Sequence, residues 1–162
     1  MNPVPQEDLD CIERQLGRTP RDVHGIAYRC PCGKPAVVET NPRLADGTPF
    51  PTFYYATCPK LTGAISTLET TGMMGEMNAR LAIDPELSGA YSAAHEDYLA
   101  ARAVLKVDVP EIEGITAGGM PDRVKCLHSL VAHSLSAGPD VNPLGDEALA
   151  ALPQWWKNEP CE

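Results

Sequence analysis

The sequence predicts an α+β fold, a small antiparallel sheet from the N-terminal third packed against three or four helices. Three observations predict it. Between residues 23 and 57 short β-type runs are separated by Pro and Gly clusters. From Pro59 onward apolar residues recur at three- and four-residue spacing. The strands also come as a block before the helices, which is the order of an α+β chain.

Each element has its own signal. Leu9, Ile12 and Leu16 stand at helical spacing, with acids in the first turn and Gly17 as a stop, so residues 1–17 form an N-terminal helix flank. The strand-rich part, 23–57, contains runs at 23–29, 36–40 and 50–57, and the turn-rich loop 41–49 is expected to be exposed. The helical part, 59–152, begins with Leu61, Ala64, Ile65 and Leu68 on one face and Gly72 as a stop. Met73, Met74, Met77 and Leu81 extend that face and read as gap-filling core rather than as a soft metal site.

Asp84-Pro85-Glu86 supplies an N-cap, an N1 proline and a first-turn acid for a long helix running to about Lys106. His95, beside its apolar stripe, reads as a partly exposed helix histidine. A loop over 107–119 leads into Pro121-Asp122 and a helix ending at Gly138. A short last helix lies within 142–152, for which Asp146 is the expected cap, with Asn142 and Asp146 as wall of a site the rival reading. The tail, 153–162, is expected to fray from Gln154, with Trp155 and Trp156 serving either as a core plug or as a contact surface.

At 162 residues one domain is the expectation, long enough to bury a core without disulfides. Thirteen Lys and Arg against 22 Asp and Glu leave a net charge of −9, whose field repels polyanions and disfavours general nucleic-acid binding. The basic pair Arg123 and Lys125 is a local exception suited to one small anion. The N-terminus has neither the basic nor the apolar region of a secretory signal, and no run is apolar enough to span a membrane, so the expected location is the cytoplasm. Six cysteines in that compartment read as metal ligands, reactive thiols or core residues before they read as disulfides.

Four of them carry the chemistry. Cys30-Pro31-Cys32-Gly33 falls between two strand-like runs with the Pro and Gly of a zinc-knuckle hairpin, although its Cys-x-Cys spacing is one residue short of the usual one. Cys58 precedes Pro59 at a helix start, where the dipole and free N–H groups favour a thiolate. Cys126, His128 and His133 share the last rich segment. Cys126 and His133, seven residues apart on a helix, are separated by about 10 Å and cannot ligate one metal. Cys126 and His128 diverge by roughly 160° on a helix and meet only if the helix starts after them. Cys11 and Cys161, in the helix flank and the tail, are expected to have no polar partners and are set aside.

Arg29-Cys30-Pro31-Cys32-Gly33, the stretch from Pro49 to Tyr54 leading to Thr57-Cys58-Pro59, and the segment from Arg123 to His128 together resemble the bacterial, mainly actinobacterial, DUF501 family. The resemblance runs from about Leu16 to Trp156. It implies a housekeeping context near cell-division and polyphosphate-related proteins, and it carries over no catalytic residues.

Three functions are compatible with these residues. The first is a zinc-binding structural or regulatory protein with Cys30, Cys32, Cys58 and Cys126 as ligands and His128 as a substitute for one of them, an iron–sulfur cluster being the alternative occupant. The second is an enzyme on a small anionic or phosphorylated substrate, with Cys58 as nucleophile or anion anchor, Arg123 and Lys125 as anion holders, and His128 or His133 moving protons. The third is an interaction module presenting Trp155 and Trp156.

Overall fold

The computed structural model describes residues 3–158 and 161–162. Its elements are α1 (Gln6–Leu16), β1 (Val23–Arg29), β2 (Pro35–Thr40), β3 (Tyr54–Ala56), α2 (Pro59–Glu69), α3 (Met73–Ile83), α4 (Pro85–Ala103), α5 (Leu127–Ala137) and α6 (Pro143–Ala150), with one 3₁₀ turn at Pro110–Ile112. The fold is α+β, as the block order of strands and helices predicts. No helix among the described residues is long and apolar enough to cross a membrane.

The sheet is an antiparallel meander in the order β1-β2-β3, and β2 at its centre is buried almost throughout. Side chains alternate across a strand. Val37 therefore enters the main core beneath α5, while Val38 faces the other side beside Ile12 of α1. The third strand is shorter than the run 50–57. Pro49 and Pro51 have no N–H to give a ladder, and pairing to β2 starts only at Tyr54.

The helices bury a contiguous apolar core of Leu61, Ile65, Met77, Tyr91, Tyr98, Leu127, Leu130 and Leu144. Met77 is fully buried and Met73 and Met74 pack against the same core, in agreement with their core reading. Tyr98 links helix to sheet: its hydroxyl accepts the Tyr54 N–H at 3.1 Å, and its ring meets Tyr54 and Phe53 edge-on.

Several sequence expectations need correction. Gly72 does not close α2, which stops at Glu69; with φ +85° it starts α3 as a separate helix instead. The helix expected from Pro121 begins only at Leu127, because residues 121–126 form turns and Cys126 is the extended N-cap. Asn142, not Asp146, caps α6 by accepting the Gly145 N–H, while Asp146 accepts the Asp140 N–H. His95 is buried, not partly exposed, and its Nδ1 lies 2.8 Å from Thr116 Oγ1.

The tail folds back rather than fraying. Trp155 is buried, Trp156 packs against the same core, and the two rings meet edge-on, the plug geometry. Residues 159 and 160, also within the expected frayed tail, lie outside the described residues. Beyond them Cys161 is fully buried and Glu162 pairs with Arg14 and Lys34.

Candidate functional site

The hairpin between β1 and β2 builds the first group of thiols. Cys30 N–H donates to Lys34 O and Gly33 N–H to Cys30 O, closing a tight turn whose reversal places Gly33 at φ +92°, a region that favours glycine. The turn leaves the Cys30 side chain buried and Cys32 exposed. Into the space beside them comes Cys161. Its sulfur lies 3.2 Å from that of Cys30, and the sulfurs of Cys30, Cys32 and Cys161 all fall within 4.8 Å of one another. Cys58, fully buried at the N-cap of α2, sets its thiol against that of Cys161.

Cys161, like Glu69 at the end of α2, is a site residue that sequence reasoning missed. It stands 131 positions from Cys30, and no local pattern connects the two. Gln15 of α1 locates the segment: its side-chain amide donates to the carbonyls of Pro35 and Cys161, and its oxygen accepts from Thr57. Cys11 is buried in α1 and does not join the group.

The thiols differ electrostatically. Burial, with a smaller contribution from neighbouring thiols, raises Cys161 far above its ordinary value, and burial also raises Cys30. At Cys32 burial is the largest single influence and opposes ionisation. The N–H groups of Lys34 and Cys161, together with the Cys161 and Cys30 thiols, outweigh it and bring Cys32 down to about 7. The group thus sets a Cys32 thiol brought down to about 7 beside Cys30 and Cys161 thiols that burial raises.

Cys126 and His128 lie in a second place. Because α5 starts at Leu127, Cys126 is extended and its side chain turns toward His128 in the first turn. Those two residues and Glu69, at the end of α2, bring one donor atom each within 4.8 Å. Glu69 Oε2 accepts the Leu127 N–H at 2.8 Å and lies 3.3 Å from His128 Nδ1. His128 Nε2 lies 3.2 Å from the Thr62 carbonyl and 3.3 Å from Ser66 Oγ. The Cys126 sulfur and Glu69 carboxylate lift the imidazole to about 9 against its burial. Burial is the largest influence on Cys126 and raises its thiol, but the His128 ring and the N–H groups of Ser129 and His128 prevail and leave it lowered.

The other expected site residues lie elsewhere. Arg123 and Lys125 are exposed and line a hollow with Gly118, Gly119 and Asp122, apart from the cleft that Cys126 and His128 line. His133 is wholly buried between Tyr54 and Tyr98, its Nε2 2.9 Å from Asp97 and its Nδ1 facing the Asn142 amide. Cys58 has no exposed surface and shares no donor group with either histidine among the described residues.

Comparison with the curated proteins and comparison with the solved structures each found no match. The family model for proteins of unknown function DUF501 matches residues 26–150, a stretch that contains Cys30, Cys32, Cys58, Glu69, Cys126 and His128 but not Cys161. With that match over most of its length, the chain belongs to the DUF501 family.

Proposed function

We propose that this is a zinc-binding protein in which Cys30, Cys32 and Cys161, with Cys58 as fourth donor, hold one structural metal ion. The observation that carries the reading is the convergence of three sulfurs from opposite ends of the chain to within 4.8 Å. Zinc–sulfur bonds of about 2.3 Å in a tetrahedron set sulfurs roughly 3.8 Å apart, so small adjustments of the Cys30, Cys32 and Cys161 side chains suffice, while Cys58, outside that three-sulfur group, must turn further in to complete the tetrahedron. The N–H groups of Lys34 and Cys161 that approach the Cys32 sulfur are the outer hydrogen bonds a zinc thiolate requires. A cation at this place also supplies what burial withholds, a charge partner that lets Cys30 and Cys161 ionise. The site is lined by thiols and is largely buried, which suits a structural ion joining the β1–β2 hairpin, the start of α2 and the C-terminal segment.

Zinc is favoured over an iron–sulfur cluster because the Cys-Pro-Cys-Gly turn resembles a knuckle and no ferredoxin-type spacing is present. The test is elemental analysis of untagged protein, alongside Cys30→Ser and Cys161→Ser and cobalt substitution. A tightly held zinc, lost in both variants, and thiolate-to-cobalt absorption that disappears with it are expected. Zinc and iron both well below one per chain would sink the reading, and iron at about two or four per chain with matching acid-labile sulfide would replace zinc by a cluster.

A further inference from the structure

We propose that Glu69, Cys126 and His128 form a second divalent-metal site, separate from the thiol group, with three protein donors and an open position on the neighbouring cleft. The cluster is assembled from two helices: α2 ends at Glu69, and α5 begins immediately after Cys126. One carboxylate oxygen, one sulfur and one ring nitrogen lie within 4.8 Å of one another, a donor set of thiolate, imidazole and carboxylate that suits zinc.

The hydrogen bonds around His128 make the case sharper. Nε2 faces the Thr62 carbonyl, which only accepts, and Ser66 Oγ, which can do either, so in the tautomer that satisfies the carbonyl Nε2 carries a proton and donates to it. This leaves Nδ1 facing Glu69 Oε2, which as a carboxylate oxygen also only accepts. Two lone pairs do not face each other at 3.3 Å without a cation between or beside them. Either a proton sits on Nδ1 or a metal ion takes its place. The Nε2–H bond to a backbone carbonyl is the outer contact that orients a metal-bound histidine and fixes its tautomer. A dipositive ion with one thiolate, one carboxylate and one neutral imidazole is charge-balanced, and the protons on Nδ1 and the Cys126 sulfur leave to solvent as the ion binds.

The surroundings distinguish this site from the first. Cys126 and His128 line a cleft of about 430 Å³ together with Gln15, Tyr54, Thr57 and Thr62. Three protein ligands with a solvent-facing fourth position is the arrangement that admits water or a small oxygen-donor ligand. Gln15 also holds the Cys161 carbonyl, so one wall of the cleft is anchored to the thiol group.

Zinc titration of protein as purified, with its tightly held metal in place, tests the inference. Wild type is expected to take up one further equivalent, and zinc is expected to slow iodoacetamide alkylation of Cys126, mapped by peptide mass, by at least about tenfold. Cys126→Ser and His128→Gln should each lose this equivalent while keeping the first. Glu69→Gln, which retains the side chain's shape and its contact with the Leu127 N–H, should weaken it at least about tenfold. Cys30→Ser should show the converse, keeping the second equivalent and losing the first, so failure of one site is distinguishable from failure of the other. Melting curves of the variants confirm that they fold. The inference is overturned if folded Cys126→Ser and His128→Gln bind as much zinc as wild type. It is equally overturned if zinc leaves the alkylation rate of Cys126 unchanged, which would leave a thiol–imidazole pair whose cation is the proton.

Discussion

Replacing Gly145 by Ala should destabilise the protein even though alanine is the better helix former. Gly145 is the third residue of α6, where the helix crosses α5. A Cβ there would lie 2.3 Å from the Leu130 carbonyl oxygen and 2.3 Å from Ser134 Oγ, about 1.1 Å inside the 3.4 Å at which ordinary contact begins. The carbonyl belongs to the backbone of α5 and cannot swing aside. Ser134 Oγ is itself engaged, donating to Asn142 O at 3.3 Å. The two helices must therefore separate, which loosens the packing of Leu130 and Leu144. Overpacking of this kind costs about 1–3 kcal/mol, and a rigid backbone obstacle places it at the upper end. Against this stands a gain of at most about 0.5–1 kcal/mol from replacing a helical glycine, less in a first turn than in mid-helix. The net loss is about 2 kcal/mol, or roughly 4–8 °C in melting temperature for a chain of this size. Gly89 in α4 is the control. Its added Cβ meets nothing within 4 Å, so Gly89→Ala should raise the melting temperature by about 1–4 °C. Thermal melts followed by circular dichroism decide the matter. A Gly145→Ala protein melting at or above wild type would refute the close crossing of α5 and α6.

Two further outcomes follow from buried polar groups. Tyr98→Phe removes the acceptor of the buried Tyr54 N–H and should cost about 1–3 kcal/mol in urea denaturation, with faster exchange of that amide; an unchanged midpoint would mean that the N–H has another acceptor. His133 is held below its ordinary value chiefly by burial, against the opposing pull of Asp97 and Asp146. Below a pH of about 6.5 the unfolded chain takes up a proton there that the folded protein refuses. Stability should therefore fall as pH drops from 6.5 toward the lower folded value, by at most about 1.4 kcal/mol per pH unit from this group, and gain nothing from it above that window. Denaturation of His133→Gln across pH 5–7.5 should show a shallower dependence than wild type, and an equal or steeper one would refute the assignment.

Much of the architecture was legible because its signals are local. Apolar spacing marked α1, α2 and α4, Pro85 and Pro59 marked their starts, and the Pro and Gly of the Cys30–Gly33 segment marked a turn between strands. Boundaries were less legible where two local rules competed. Gly72 satisfies both a helix stop and a left-handed helix start, and the apolar pattern around Val124 and Leu127 continues past the point where α5 begins.

The grouping of the thiols was of another kind. Hairpin chemistry alone brings Cys30 and Cys32 to one turn, and Pro59 alone puts Cys58 at a helix start. Their joining with Cys161 depends on Gln15 bonding both Pro35 and Cys161, on the Trp155–Trp156 pair packing into the core, and on Glu162 pairing with Arg14. Cys126 and His128 meet although α5 begins between them and not after both, because Cys126 is the extended N-cap; their separation from the other thiols and their union with Glu69 follow from how α2 packs on α5. The sequence by itself determined the α+β class, the helix faces and part of the ligand set, Cys30, Cys32, Cys126 and His128 but neither Cys161 nor Glu69, because periodicity, capping and side-chain chemistry act within a few residues. Only the tertiary structure decided that the thiols divide into two places and that the last cysteine belongs with the first turn, because loop closure over more than a hundred residues is governed by packing that no short-range pattern encodes.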